Sequence, residues 1–212
     1  MAGACGVVLA GGRGERLGLG VPKARAVLDG RSLLDRAIAT LAAVCAEVIV
    51  AAPAGLELGP FGKQAIPVRR IADAAGFEGP LAGLVAGLEG CGETDAAVLG
   101  VDFPLVTEAW PRALLERLGA GGAGRAVVVR PGGIPQPLVA AFAAGAAARL
   151  RGRLEGGVTS LRGGLESLAI TWIDDADLER LPGGIGALLN VNTPADLEAA
   201  RRALGAVGGG TR

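Results

Sequence analysis

A glycine-rich loop that directly follows an apolar run near the start of the chain limits the possible folds more than any other feature. Residues 6–9 read Gly-Val-Val-Leu, residues 10–18 read Ala-Gly-Gly-Arg-Gly-Glu-Arg-Leu-Gly, and the stretch closes on Pro-Lys at 22–23. A strand that enters such a loop exposes backbone N–H groups, which bind phosphate well. The loop also carries positive charge from Arg13, Arg16 and Lys23. Together these features predict a site for the polyphosphate of a nucleotide.

The spacing of the glycines excludes two common kinds of nucleotide loop. A Walker loop needs Gly-Lys-Ser/Thr four residues after a glycine, and this order is not found here. A dinucleotide-binding turn needs a third glycine, but Leu17 stands at that position. This counts against a dehydrogenase-type domain. The loop instead resembles the nucleotidyltransferase signature, with Leu-Ala-Gly-Gly at 9–12, Arg-Leu-Gly at 16–18 and Pro-Lys at 22–23.

Length and charge narrow the class further. The 212 residues predict a single domain over 1–206 and a disordered tail over 207–212. The 21 basic residues balance the 21 acidic ones, so the basic excess typical of a nucleic-acid partner is missing. No apolar run approaches the roughly 18 residues of a membrane span, and no secretory signal precedes the loop. We therefore predict a cytoplasmic protein without a membrane or nucleic-acid partner.

The residue types that are absent restrict the chemistry. The chain has no histidine and no tyrosine, which removes imidazole bases and most metal-ligand sets. Catalysis must therefore use Lys, Arg, Asp, Glu, Asn and the backbone. Cys5, Cys45 and Cys91 are odd in number and far apart, so we predict three buried, reduced thiols rather than a disulfide framework or a zinc site.

Short apolar runs alternate with segments of helical periodicity. The runs predict strands at 6–9, 48–51, 68–71, 96–100 and 126–129. Helices are predicted after the capping pair Ser32 and Asp35, over 80–88 and 111–118, and from Pro194 to residue 204. This alternation indicates an α/β, three-layer sandwich with a mostly parallel central sheet, a Rossmann-like nucleotidyltransferase fold. Ligands of such sheets bind beyond the carboxyl ends of the strands.

Asp102 is the candidate metal ligand. It follows the predicted strand at 96–100, so its carboxylate faces the same crevice as the glycine loop. A Mg²⁺ ion that bridges phosphate oxygens needs an anionic ligand at such a place. The alternative for this residue alone is a turn or helix-capping aspartate before Pro104.

Three further groups are candidates for ligand binding, each with a structural alternative. The small residues 79–83 begin a helix, where N–H groups meet anions or carbonyl oxygens, or simply allow close packing. Asp73 can accept hydrogen bonds from a purine base or a ribose, or cap a turn. Asn190 and Asn192 alternate along the chain and present two amides on one face, or cap the next helix.

In their order along the chain, these segments resemble the molybdenum cofactor guanylyltransferases, which attach GMP to molybdopterin. The matching segments are residues 9–23, Asp73 with 79–83, 102–104, 136–140 and 190–194. The resemblance implies Mg²⁺ on Asp102, catalysis by Lys23, Arg16 and Asp102, and the acceptor beside Asn190 and Asn192. It also implies transient contact with proteins that handle the molybdenum cofactor. By the same resemblance, GTP would be bound by Leu9, Ala10, Gly11, Gly12, Arg13, Lys23, Asp73, Gly79, Pro80 and Leu81.

One departure from the family pattern concerns the base. Ala51, Ala52 and Pro53 stand where the family usually has an asparagine near the base or ribose. The alternatives are therefore a related transferase that uses CTP or guanylylates a small phospho-acid, and a catalytically silent nucleotide-binding domain.

Overall fold

The computed structural model describes residues 3–12, 14, 17–119, 122 and 124–208, with side chains up to residue 205. The main sheet has seven strands in the order β5-β4-β1-β6-β8-β7-β9. Only β8 runs antiparallel to its neighbours β6 and β7, and the other pairs are parallel. The strands are β1 Cys5–Leu9, β4 Glu47–Ala52, β5 Val68–Ala72, β6 Ala96–Gly100, β7 Arg125–Val129, β8 Gln136–Phe142 and β9 Ala169–Ile173, and a separate hairpin pairs β2 Val27–Leu28 with β3 Arg31–Ser32.

Helices cover both faces of the sheet, which confirms the predicted three-layer α/β fold. Val8 of β1 faces the core formed with α1, α3 and α7, whereas Val7 faces the core formed with α2, α4 and α5. Successive strand residues point to opposite faces, and strands buried on both faces read as continuous apolar runs. The helices are α1 Leu33–Ala42, α2 Pro80–Gly90, α3 Ala109–Leu118, α4 Ala146–Glu155, α5 Leu161–Leu165, α6 Asp175–Leu178 and α7 Pro194–Gly208. None of these helices is long and apolar enough to cross a membrane.

The predicted strands and helices are confirmed with small shifts at their ends, but two strands of the main sheet were not predicted. Strand β8 contains Pro137, a residue that argues against a central strand, yet β8 lies between β6 and β7. Strand β9 lies at the edge of the sheet and reads Ala-Ile-Thr-Trp-Ile, a short run that was not assigned from the sequence. Helix α7 continues through Gly208, past the predicted domain end at 206, and the rest of the predicted tail, 209–212, lies outside the described residues.

The cysteines contradict the prediction of three reduced thiols. Cys5, at the start of β1, forms a disulfide with Cys91, which follows the last turn of α2. Their Cα atoms lie 5.8 Å apart because α2 packs directly against β1. The sequence separation of 86 residues gave no sign of this contact. Cys45 is free and buried, and burial raises the pKa of its thiol to about 12.

Thiol titration of the purified protein tests this pairing. The two cysteines lie within the distance of a disulfide, so the bond is expected in protein that has been exposed to air. Under denaturing conditions without reductant we expect one reactive thiol per chain, from Cys45. After reduction we expect three. Three thiols in protein that has been exposed to air would contradict the pairing, and the Cys45→Ser variant, with no thiol before reduction, is the control.

Candidate active site

The carboxyl ends of three neighbouring strands lie at one level and form the floor of a cleft. Leu9, the last residue of β1, pairs with Ala51 of β4 on one side and with Gly100 of β6 on the other. The chain leaves each strand at this edge, so the glycine loop and Asp102 emerge side by side. This edge of a parallel sheet is where the fold class binds its ligands.

The cleft has a volume of about 360 Å³. Its walls come from the glycine loop, the ends of β4 to β6, the start of α2 and strand β8. Most of the residues that were predicted from the sequence to bind nucleotide lie on these walls. The lining residues are Leu9, Gly11, Gly12, Lys23, Ala51, Pro53, Asp73, Gly79, Pro80, Gly83, Val101, Asp102 and Leu138.

The glycine loop holds Lys23 in place through its backbone. The N–H of Lys23 donates to the carbonyl oxygen of Gly12 at 3.3 Å. Gly14 has φ +73°, and a Cβ there would come within 2.7 Å of the Lys23 nitrogen. Only glycine fits both this conformation and this close approach. The loop thus folds back on Lys23, whose side chain enters the cleft while the residue is only 8% exposed.

Lys23 and Asp102 meet in this cleft, as the sequence hypothesis requires. Lys23 Nζ lies 3.5 Å from Asp102 Oδ2, and both side chains are largely buried. Burial raises the pKa of the Asp102 carboxyl, and the charge of Lys23 opposes this rise. The cleft therefore holds a buried cation and a buried carboxylate directly beside the backbone of the glycine loop.

Asn190 and Asn192 lie behind this pair rather than among the residues that line the cleft. Asn192 Oδ1 accepts a hydrogen bond from Lys23 Nζ at 2.7 Å, and Asn192 Nδ2 donates to Asn190 Oδ1 at 2.6 Å. The segment is fixed by Val191, whose side chain is buried and whose N–H donates to the Asp102 carbonyl oxygen at 2.8 Å. The two amides therefore share one face, as the alternation predicts.

Asp196 fixes the same segment from the other side. Its Oδ2 accepts hydrogen bonds from the N–H groups of Asn192 at 2.9 Å and Thr193 at 2.8 Å, while Thr193 Oγ1 accepts from the Asp196 N–H at 3.2 Å. These contacts begin helix α7. The hydrogen bonds to Asn192 and Thr193 lower the pKa of the Asp196 carboxyl.

Asp73 contributes an acceptor to the opposite wall. It follows β5, and its N–H donates to the Ala52 carbonyl oxygen at 3.3 Å. Its Oδ1 is buried and accepts no hydrogen bond from the described residues. A Cβ on Gly83 would lie 3.1 Å from this oxygen, so the glycine leaves space beside it. Burial raises the pKa of the Asp73 carboxyl, and the charge of Arg70 partly offsets this rise.

Some of the predicted nucleotide-binding residues lie outside the cleft. Ala10 and Leu81 are fully buried, and their N–H groups donate to the carbonyl oxygens of Ala51 and Thr159. The N–H of Leu81 at the start of α2 is therefore bound to a carbonyl oxygen of the protein itself. Ala10 and Leu81 are thus part of the buried structure next to the cleft and do not line it. Arg13 and Arg16 lie outside the described residues.

The structure also adds residues that sequence reasoning missed. Leu138 of β8 and Val101 line the cleft, and Pro53 separates it from a second cavity of about 770 Å³. The segment 136–140 was noted only as a family match, because the reversed strand that carries it was not predicted. The second cavity is lined by Gly14, Gly18, Gly20, Val21, Pro22, Pro53, Gly55 and Leu56.

The residues present fit a magnesium ion that is shared with a nucleotide. Among the described residues no group of three or more acidic or cysteine side chains converges to form a metal cage. Mg²⁺ in phosphate-transfer sites needs only one or two carboxylates, because substrate oxygens and waters complete its shell. Asp102 supplies one such carboxylate. Gly100 leaves the space beside Asp102 Oδ1 open, since a Cβ there would collide with that oxygen.

A glycine loop, a lysine and a strand-end aspartate in this arrangement define the nucleotidyltransferase class of α/β proteins, and comparison with known proteins agrees. The model of the MobA-like NTP transferase domain matches residues 6–169. A molybdenum cofactor guanylyltransferase of Acidiphilium cryptum is 38% identical over 195 residues, which cover 92% of each chain. A probable molybdenum cofactor guanylyltransferase of Deinococcus radiodurans is 34% identical over 193 residues, which cover 90% of each chain. This chain belongs to the MobA-like NTP transferase family.

The fold is similar to that of solved relatives. The molybdopterin-guanine dinucleotide biosynthesis protein A of Archaeoglobus fulgidus superimposes with a TM-score of 0.74 at 22% identity, covering 95% of this chain and 99% of that one. At this identity the match supports the fold. The expectations of a nucleotidyltransferase and of its fold are thus confirmed.

Proposed function

We propose that this protein transfers GMP from GTP to the terminal phosphate of molybdopterin, releasing pyrophosphate, in a reaction that depends on Mg²⁺. The observation that carries the proposal is the Lys23–Asp102 pair, 3.5 Å apart at the mouth of the glycine loop. The relatives named molybdenum cofactor guanylyltransferase, aligned over nearly the whole chain, supply the substrate class.

The residues of the cleft suit an acceptor that is itself a phosphate. A phosphate monoester has its second pKa near 6, so it is mostly a dianion at neutral pH. Its oxygen attacks the α-phosphorus of GTP, the bond to the bridging oxygen breaks, and pyrophosphate leaves without a proton having to be removed. No general base is needed, which fits a chain without histidine. Alignment and charge neutralisation remain the main requirements.

Lys23 and the loop amides meet these requirements in the proposed reaction. Lys23 places a point charge on the phosphates, and the amides of the glycine loop donate to their oxygens. Arg16 is proposed to add a second cation. Asp102 would hold Mg²⁺, which when bound neutralises charge on the phosphate oxygens.

Asp73 is proposed to accept hydrogen bonds from the guanosine part of GTP. Its buried Oδ1 lacks a protein partner among the described residues, and such an acceptor is costly unless a ligand supplies the donor. The N1–H and exocyclic amine of guanine and the ribose hydroxyls are donors of this kind. Gly79 and Pro80 form the adjoining wall of the cleft.

Substitution Asp73→Asn tests this role. The amide places a donor where the carboxylate accepts, so we expect the affinity for GTP to fall by roughly tenfold, a loss of about 1.4 kcal/mol. Calorimetric titration of GTP in the presence of Mg²⁺ measures the change. Glu78→Gln, an exposed position in the same loop, is the matched control and should bind GTP normally. Unchanged GTP affinity in Asp73→Asn would show that Asp73 makes no contact with the nucleotide.

The proposed reaction belongs in the cytoplasm, where molybdopterin reaches the enzyme through transient contacts with proteins that handle the cofactor. The decisive experiment incubates the purified protein with molybdopterin, Mg²⁺ and GTP, CTP or ATP in separate reactions. Pyrophosphate release and a guanine dinucleotide product with GTP alone support the proposal. Turnover with CTP, turnover only with a small phospho-acid as acceptor, or no turnover would contradict it.

A further inference from the structure

Lys23 is held by a chain of two side-chain amides that lies beside Asp102. Lys23 Nζ donates to Asn192 Oδ1, and Asn192 Nδ2 donates to Asn190 Oδ1. Asn190 also acts on the Asp102 carboxyl, whose pKa it lowers against the effect of burial. With the direct ion pair between Lys23 and Asp102 at 3.5 Å, the four side chains form one polar cluster.

The Lys23 end of this chain dictates how the Asn192 amide is oriented. An ammonium group only donates. Asn192 must therefore turn its oxygen toward Lys23 and its amino group toward the Asn190 oxygen. A donor faces an acceptor at both links. Reversal of the Asn192 amide would break both links at once.

The cluster is also anchored through the backbone. Val191 ties the segment to the Asp102 carbonyl oxygen, and Asp196 holds the N–H of Asn192. We infer that Asn190 and Asn192 are positioning residues, which hold Lys23 and Asp102 at the spacing that Mg·GTP requires before any acceptor arrives. This inference rests on the proposed function, since it assigns Lys23 and Asp102 to the nucleotide and its metal. It differs from the family expectation, in which both asparagines face the acceptor.

Binding of Mg·GTP without an acceptor separates the two roles. Leucine is close to asparagine in size but cannot hydrogen bond. We expect Asn190→Leu and Asn192→Leu each to weaken Mg·GTP binding at least tenfold in calorimetric titrations. Because Asn190 acts on Lys23 through Asn192, the double variant should bind less than about threefold more weakly than the weaker single variant, rather than show the product of the two losses.

Ser32→Ala is the matched control. Ser32 Oγ caps α1 by accepting from the Asp35 N–H at 2.9 Å and lies outside the hydrogen bonds that hold Lys23 and the two asparagines, so we expect a lower thermal midpoint with Mg·GTP affinity within about twofold of the wild type. An equal loss of affinity in this control would overturn the inference. Leucine variants that bind Mg·GTP normally and raise only the KM for the acceptor would also overturn it.

A second measurement does not depend on the nucleotide. In a crystal structure of Asn192→Leu without ligand, we expect Lys23 Nζ to leave its place beside Asp102. An unchanged position would contradict the inference, whatever the substrate. If the wild-type protein binds no Mg·GTP but Lys23 still moves away from Asp102 in Asn192→Leu, only the proposed function is contradicted.

Discussion

Lys23→Ala is expected to lower the turnover number by on the order of a hundredfold or more, which is typical of removing one preorganised charge from a transition state. The side chain is buried, and its ammonium group contacts Asn192 and Asp102 and faces the cleft. The charge is therefore fixed before the phosphates bind. Steady-state kinetics with GTP, Mg²⁺ and molybdopterin measure the effect.

The chain offers a matched control for this prediction. Its other lysine, Lys63, is exposed and is not among the residues that line the cleft. Lys63→Ala should keep wild-type kinetics, because a solvated surface lysine contributes little. A rate near that of the wild type in Lys23→Ala would remove Lys23 from the site. Thermal unfolding of both variants separates lost catalysis from lost folding, since Lys23→Ala also leaves Asp102 buried without its cation.

Asp102→Asn is expected to weaken the dependence on Mg²⁺ and to lower turnover by on the order of a hundredfold. The amide is nearly the same size as the carboxylate but carries no charge for a divalent ion. Turnover measured across a range of Mg²⁺ concentrations should shift its midpoint upward. An unchanged metal titration would return Asp102 to the alternative role of a turn residue before Pro104.

Asp95 is the matched control for this variant. It lies just before β6 at the opposite end from Asp102, and its Oδ1 accepts a hydrogen bond from the Ala144 N–H at 2.8 Å. Asp95→Asn keeps an acceptor at that place and lies at the far edge of the sheet. Its metal titration should match the wild type. A shift as large as that of Asp102→Asn would show that the effect arises from strand β6 as a whole.

The chemistry of the site was predictable because it depends on a continuous segment. The glycine spacing at 11–18, Pro22-Lys23 and the apolar run before them predict a phosphate-binding loop without knowledge of the tertiary structure. The same holds for the apolar runs that form β1 and β6. Asp102 followed from its place at a strand end, because all parallel strands deliver their carboxyl ends to one edge.

Contacts between distant segments were not predictable. Lys23 and Asn192 are 169 residues apart, and no local sequence pattern predicts the hydrogen bond between their side chains. The same applies to the disulfide between Cys5 and Cys91 and to strand β8, which runs against its neighbours despite containing Pro137. Ala10 and Leu81 show that prediction is limited even within a motif. The sequence identifies the segment but does not show which of its side chains face the cleft.

The sequence alone therefore determined the fold class, the glycine loop that we propose binds phosphate, and the lack of a histidine base, because these depend on residue type and short spacing. The tertiary structure decided that two asparagines stand in a hydrogen-bonded chain behind Lys23, that a buried oxygen of Asp73 has no partner among the described residues, and that Cys5 meets Cys91. The reason is physical. Side-chain hydrogen bonds depend on atoms placed within a few tenths of an ångström, and only the packing of the whole chain sets such positions.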